Sequence, residues 1–135
     1  MRACFAIALA VFLAGCATEP PKNPVPIQAA AYQTEPQGDY ATVVVIRDGG
    51  YGGSFCYVNF YVDSQLIANF DVSQMITIYV PPGEHIFSIR PVSSFSCGDT
   101  SGLMQEIAVN LKNGETKKYR IGFINMVFTI APTAF

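Results

Sequence analysis

Phe55-Cys56-Tyr57-Val58-Asn59-Phe60-Tyr61-Val62-Asp63-Ser64-Gln65-Leu66-Ile67-Ala68-Asn69-Phe70 decides the fold class of this chain. Cys56, Val58, Phe60 and Val62 alternate with Phe55, Tyr57, Asn59 and Tyr61. Successive side chains of a strand point to opposite faces, so a period of two predicts a strand with one aliphatic and one tyrosine-rich face. Asp63-Ser64-Gln65 supplies turn residues, and Leu66 to Phe70 returns as the second arm of a hairpin.

The strand pattern continues on both sides. Upstream, Thr42-Val43-Val44-Val45-Ile46 is a β-branched run suited to a well-buried strand. Asp48-Gly49-Gly50-Tyr51-Gly52-Gly53 reads as a loop, because glycine at this density does not order itself. Downstream, Met75 to Val80 is a strand stopped by Pro81-Pro82-Gly83. Glu84 to Arg90 then alternates, with Ile86, Ser88 and Arg90 on one face and His85, Phe87 and Ile89 on the other. Ser93 to Gly102 is polar and turn-rich, and Met104 to Leu111 alternates again. Lys112-Asn113-Gly114-Glu115 carries the Asn-Gly signal of a hairpin turn. Thr116 to Phe123 and Met126 to Ile130 complete the set. Seven to eight short strands at roughly 8–12-residue spacing, with no helical period, predict an all-β fold. A small antiparallel β-sandwich is the expected architecture, a small barrel being the other closure this spacing allows.

The N-terminus has a different character. Arg2 is the only charge before Glu19, and an apolar run from Ala3 to Ala14 follows it. A positive start, a short apolar stretch and small residues at its end describe a secretory signal. Crossing a bilayer takes about 20 apolar residues, more than this run offers. Leu13-Ala14-Gly15-Cys16 resembles the lipobox of bacterial lipoproteins. That resemblance implies cleavage after residue 15, a diacylglycerol thioether on Cys16 and acylation of the freed amine, enough acyl chain for stable anchoring. Ala17 stands where an Asp would imply retention at the inner membrane, so the resemblance implies the outer membrane. Pro20, Pro21, Pro24, Pro26 and Pro36 among small polar residues make residues 16–40 read as a tether, with the domain over 41–135. A flexible tether of that length would hold the domain some 25–30 Å from the lipid.

Removing residues 1–15 leaves 120, one domain's worth, with seven Lys and Arg against ten Asp and Glu. A weakly acidic surface excludes tracking of a phosphate backbone, so no nucleic-acid partner is expected. Charged residues are 13% of the chain against a usual figure of about 25%, while seven Tyr and ten Phe are present. A well-filled core accounts for most of this, and a weakly charged surface touching membrane or protein for the rest. Of four cysteines, Cys4 leaves with the signal and Cys16 takes the lipid. Cys56 and Cys97 are then an even pair in an oxidising compartment, where a disulfide is expected. With His85 as the single histidine, no metal site and no cofactor are expected.

The lipobox, Val62-Asp63-Ser64-Gln65-Leu66-Ile67, Val80-Pro81-Pro82-Gly83-Glu84-His85 and Leu111-Lys112-Asn113-Gly114-Glu115-Thr116-Lys117-Lys118-Tyr119 together resemble one family. It comprises small bacterial lipoproteins whose β-sandwich is known as a domain of unknown function, and the likeness runs from about Ala41 to Ile124. The shared motifs are turn chemistry. The Asp48–Gly53 loop and the two cysteines lie outside the pattern.

Few residues are candidates for chemistry. His85 follows a Pro-Pro-Gly turn without a Ser or Cys nucleophile motif and reads as part of the turn-and-strand frame. Asp48 and Asp99 lie in the two Gly/Ser-rich loops without calcium-loop spacing, and read as solvated carboxylates. Tyr51, Phe55, Tyr57 and Tyr61 are the candidate binding residues. If the aliphatic face of their strand is core, they form a part-exposed strip suited to a glycan or protein; if both faces are buried, they are packing. A terminal Phe135 is shared with outer-membrane barrels, but Pro132 and the uneven strands argue against a spanning barrel. The expectation is therefore a non-enzymatic binding or assembly module, lipid-anchored at the outer membrane and facing the periplasm. The alternative is an inhibitor of an envelope hydrolase such as lysozyme, with the Asp48–Gly53 loop inserting. A peptidoglycan hydrolase lacks a nucleophile, metal cluster or carboxylate pair.

Overall fold

The computed structural model describes residues 18–92, Cys97 and residues 104–134; Cys16, Asp99 and Phe135 lie outside them. Nine strands are formed among the described residues: β1 Val25–Pro26, β2 Ala41–Arg47, β3 Val58–Val62, β4 Gln65–Phe70, β5 Gln74–Val80, β6 Gly83–Pro91, β7 Gln105–Leu111, β8 Thr116–Ile124 and β9 Val127–Pro132. They make two sheets, in the orders β1-β5-β2-β8-β9 and β4-β3-β6-β7. The all-β sandwich read from periodicity is the observed fold.

Alternation decides what each strand buries. Val43 and Val45 of β2, Ile76 and Ile78 of β5, and Ile121 of β8 face Val58, Phe60 and Val62 of β3 and Phe87 and Ile89 of β6 across the core. Phe70, Phe60, Phe87 and Tyr119 form a chain of edge-to-face ring contacts, with centroids 5.1–6.5 Å apart, that crosses from one sheet to the other. In the β3–β4 pair Phe60 opposes Ala68 and Tyr61 opposes Leu66. Ile67 is thus the extra residue of a bulge, which lets Ile67 and Ala68 both turn inward.

Two turns depart from expectation in kind. The β3–β4 hairpin closes on Asp63 and Ser64 alone, at φ 48° and 68°, a mirror-type two-residue turn matched to strand twist. Gln65 belongs to the strand. The Asn-Gly turn, by contrast, closes no hairpin: β7 and β8 belong to different sheets. Its backbone is taken up elsewhere, Gly114 N–H donating to the Tyr40 carbonyl and Asn113 accepting from Tyr40 N–H and donating to Asp39. β8 instead pairs parallel with β2, from Thr42 opposite Thr116 to Arg47 opposite Ile121. The sandwich is antiparallel apart from this pair and the short parallel β1–β5 pair.

The segment read as a tether is also corrected from Thr18 onward. Val25–Pro26 pairs with Gln74 and Met75, Ala30 N–H donates to the Ile67 carbonyl, and Tyr79 N–H donates to that of Tyr32. Ile27, Ala29, Ala31 and Tyr32 pack on the core. Proline suits this position because an edge strand can dispense with one N–H, so the composition of a flexible linker also describes an edge-hugging strap.

Candidate functional site

One end of the sandwich gathers the C-terminus of β2, the glycine-rich loop, the β8–β9 turn and Thr18. Arg47, the last residue of β2, is 2% exposed. Its guanidinium donates to the carbonyls of Cys56 at 2.5 Å, Phe70 at 2.7 Å and Gly53 at 2.7 Å, and lies 5.2 Å from the Phe128 ring centroid. The glycine-rich loop is therefore wrapped round a buried cation. Burial pushes the Arg47 guanidinium down to about 10, with Asp71 and Tyr57 acting the other way. At Gly53, φ is +66° and a Cβ would stand 2.6 Å from the Phe128 ring, so only glycine fits.

This loop presents Tyr51, 82% exposed, and Phe55, 61% exposed, as an edge-to-face pair 5.7 Å apart. Phe55 lies three residues before β3 with its ring against Tyr51, so it does not share a sheet face with Tyr57, whose carbonyl accepts from Val92 N–H, and Tyr61 as the alternation implied. The four aromatic residues divide into two pairs. Tyr57, the residue before β3, is about half exposed, and Tyr61 of β3 is out of phase with Val58, Phe60 and Val62, which are in the core. On the outer face of the four-stranded sheet Asn69 Nδ2 donates to Asn59 Oδ1 at 2.7 Å, and Asn59 Nδ2 donates to the Tyr61 hydroxyl at 3.2 Å. Leu66, opposite Tyr61, and Ile86 on β6 are exposed beside this row. Ser88 lies buried between its cross-strand neighbours Tyr61 and Glu106, and donates to the Glu106 carboxylate at 3.2 Å.

Asp48 is not the solvated loop carboxylate its glycine-rich context predicts. Its side chain is 2% exposed and accepts from Arg120 Nε and Nη2, each at 2.7 Å, and from the Thr18 hydroxyl at 2.7 Å. Thr18 Oγ1 in turn accepts from Phe123 N–H at 2.8 Å, and the Thr18 carbonyl accepts from Arg120 Nη2 at 2.6 Å. The hydrogen bonds it donates to Asp48 hold the Arg120 guanidinium above its ordinary value. A Cβ at Gly122 would meet Asp48 Oδ2 at 3.1 Å and Thr18 Oγ1 at 3.5 Å, which places glycine under this cluster. Sequence reasoning missed both arginines. Their one local signal is a cation inside an apolar run.

His85 occupies the opposite end. Nδ1 faces Asp63 Oδ2 at 2.6 Å and Nε2 faces the Pro81 carbonyl at 2.8 Å. Asp63 also accepts from Ile86 N–H at 2.8 Å. That bond first, and His85 second, hold the Asp63 carboxyl below its usual range. An open depression of about 380 Å³ adjoins them, lined by Glu84, Ile86, Ala108, Val109 and Asn110. His85 thus clamps the β3–β4 turn to the Pro81-Pro82 turn, and both ring nitrogens are engaged.

Cys56 and Cys97 are at disulfide distance, with S–S 2.15 Å and Cα–Cα 5.4 Å. The bond staples the entry of β3 to the segment linking β6 and β7. Among the described residues no group of three His, Cys, Asp or Glu is placed to hold a metal ion. No family model matches this chain, and no curated protein or solved structure matches it either.

Proposed function

We propose that this chain is a lipid-anchored, non-enzymatic module of the outer membrane that binds an envelope protein or glycan on the outer face of its four-stranded sheet. The observation that carries the reading is the row of Asn59 and Tyr61 with Asn69 and Leu66 beside it, continued by half-exposed Tyr57 at the entry of β3. Asn69, Asn59 and Tyr61 are already hydrogen-bonded in sequence, so these side chains have little entropy left to lose on binding. Half-exposed tyrosine beside amide groups suits a sugar ring or a protein surface equally well. The lipobox resemblance supports the anchor and the address.

The test is capture of partners from solubilised envelopes by the full mature chain, against a Tyr57→Ala/Tyr61→Ala double variant of equal melting temperature. Loss of about tenfold in affinity is expected, the usual cost of removing a central aromatic contact. Unchanged capture would sink the sheet-face site. A second reading, inhibition of an envelope hydrolase such as lysozyme, draws on protruding Tyr51 and requires inhibition that Tyr51→Ala abolishes. The buried Asp48 favours the first reading, because it leaves residues 49–57 with no charge to offer a polar catalytic cleft.

A further inference from the structure

The exposed large apolar side chains are unevenly placed. Tyr51 and Phe55 protrude from the glycine-rich loop, and Ile124, Met126 and Val127 from the β8–β9 turn, Met126 being 81% exposed. The two tips are neighbours. Gly53 lies against Phe123 and Phe128, the cross-strand pair next to Ile124 and Val127. Neither residues 49–56 nor residues 124–128 contain a charge; the carboxylates of this end, Glu19 bridged to Gly49 and Asp71 between β4 and β5, lie outside both tips, and the far end carries Asp63, Lys112 and Glu115 in its turns and Glu84 at the start of β6.

Thr18 is fixed at this same end by Asp48, Arg120 and Phe123 N–H. Only Ala17 separates Thr18 from Cys16, and two residue steps reach at most about 7 Å. Acyl chains on Cys16 would therefore enter the bilayer beside Tyr51 and Met126, with no spacer between leaflet and domain. We infer that this end is a membrane-docking face: the Tyr51/Phe55 loop and the Ile124–Val127 turn rest in the headgroup region of the phospholipid leaflet that holds Cys16. This rests on the lipid-anchor reading above. The chemistry fits a lipid surface. Uncharged tips enter an interface without desolvating an ion, and tyrosine favours the headgroup depth, where its ring is apolar-facing and its hydroxyl stays wet. The docked pose leaves the Tyr57–Tyr61 sheet face standing out of the membrane and turns the charged end with His85 away from it.

The chain has no tryptophan, so a single introduced one reports its own depth. Tyr51→Trp, Met126→Trp and, at the far end, Lys112→Trp are prepared as full lipidated chains in phosphatidylethanolamine/phosphatidylglycerol vesicles with brominated acyl chains. Mass spectrometry of the N-terminal peptide verifies acylation of Cys16. The expected result is blue-shifted emission, quenched about twofold or more, for Tyr51→Trp and Met126→Trp, as placement some 5–10 Å into the interface requires, and neither effect for Lys112→Trp. Equal, unquenched emission from all three in an acylated, vesicle-bound chain overturns the docking face and leaves the anchor standing. Blue-shifted emission in native membranes without quenching in vesicles overturns it in favour of a protein partner. A chain found without acyl groups and away from the membrane overturns the anchor and, with it, this inference.

Discussion

Replacing Arg47 by methionine tests how the glycine-rich loop is built. Methionine keeps the length and apolar stem of the side chain and removes only the guanidinium. Three carbonyls, those of Gly53, Cys56 and Phe70, then lose a charged donor. Hydrogen bonds to a charged group are worth about 1.5–3 kcal/mol each, a gross loss of roughly 4–9 kcal/mol. The variant recovers the several kcal/mol spent in keeping a cation out of water. Gly53 O also retains the Cys56 N–H bond, which softens its loss. A net destabilisation of about 2–3 kcal/mol follows, a large share of the 5–15 kcal/mol typical of a domain. Urea unfolding followed by far-ultraviolet circular dichroism reads this as a lower midpoint at unchanged slope. Arg47→Lys should fare no better, since one ammonium cannot span three carbonyls and stays a buried charge. An Arg47→Met chain as stable as the parent would refute the claim that the cation organises the loop.

Gly53→Ala should cost about 2–4 kcal/mol, from a left-handed backbone and overpacking against Phe128, whereas Gly114→Ala, at φ +75° with open space at its Cβ, should cost only about 1–2 kcal/mol. Denaturation midpoints of the two variants check the difference. Cys97→Ser and Cys56→Ser should each lower stability by up to about 4 kcal/mol, with the double variant no worse than either, since each single change opens the same loop. Asp63 has a carboxyl held below its usual range, so its contribution is complete above roughly pH 4 and disappears as pH falls through the folded value. Asp63→Asn, which keeps an acceptor for Ile86 N–H, should flatten the acid limb of stability against pH by less than about 1 kcal/mol, the site being solvent-screened.

The strands were legible because period-two alternation is written locally: Val58, Phe60 and Val62 announce a buried face whatever they meet across the core. The β3–β4 turn and the Cys56–Cys97 pairing were legible for the same kind of reason, turn chemistry in one case and cysteine parity in the other. Partnership between distant segments was not. Lys112-Asn113-Gly114-Glu115 has the composition of a hairpin yet passes between sheets, because Asp39 and Tyr40 take its polar groups from more than 70 residues away. Asp48 and Arg47 occupy similar sequence surroundings, and only the packed structure shows one ion-paired with Arg120 and the other hydrogen-bonded to three carbonyls. Residues from Thr18 to Tyr40 read as linker because proline density reports what a backbone cannot donate, not what it can lie against. The amino-acid sequence by itself determined an all-β chain with a tyrosine-bearing strand. Tertiary structure alone decided that Thr18, the glycine-rich loop and the β8–β9 turn share one end, since segments as far apart as Thr18 and Phe123 meet only when a packed core fixes both.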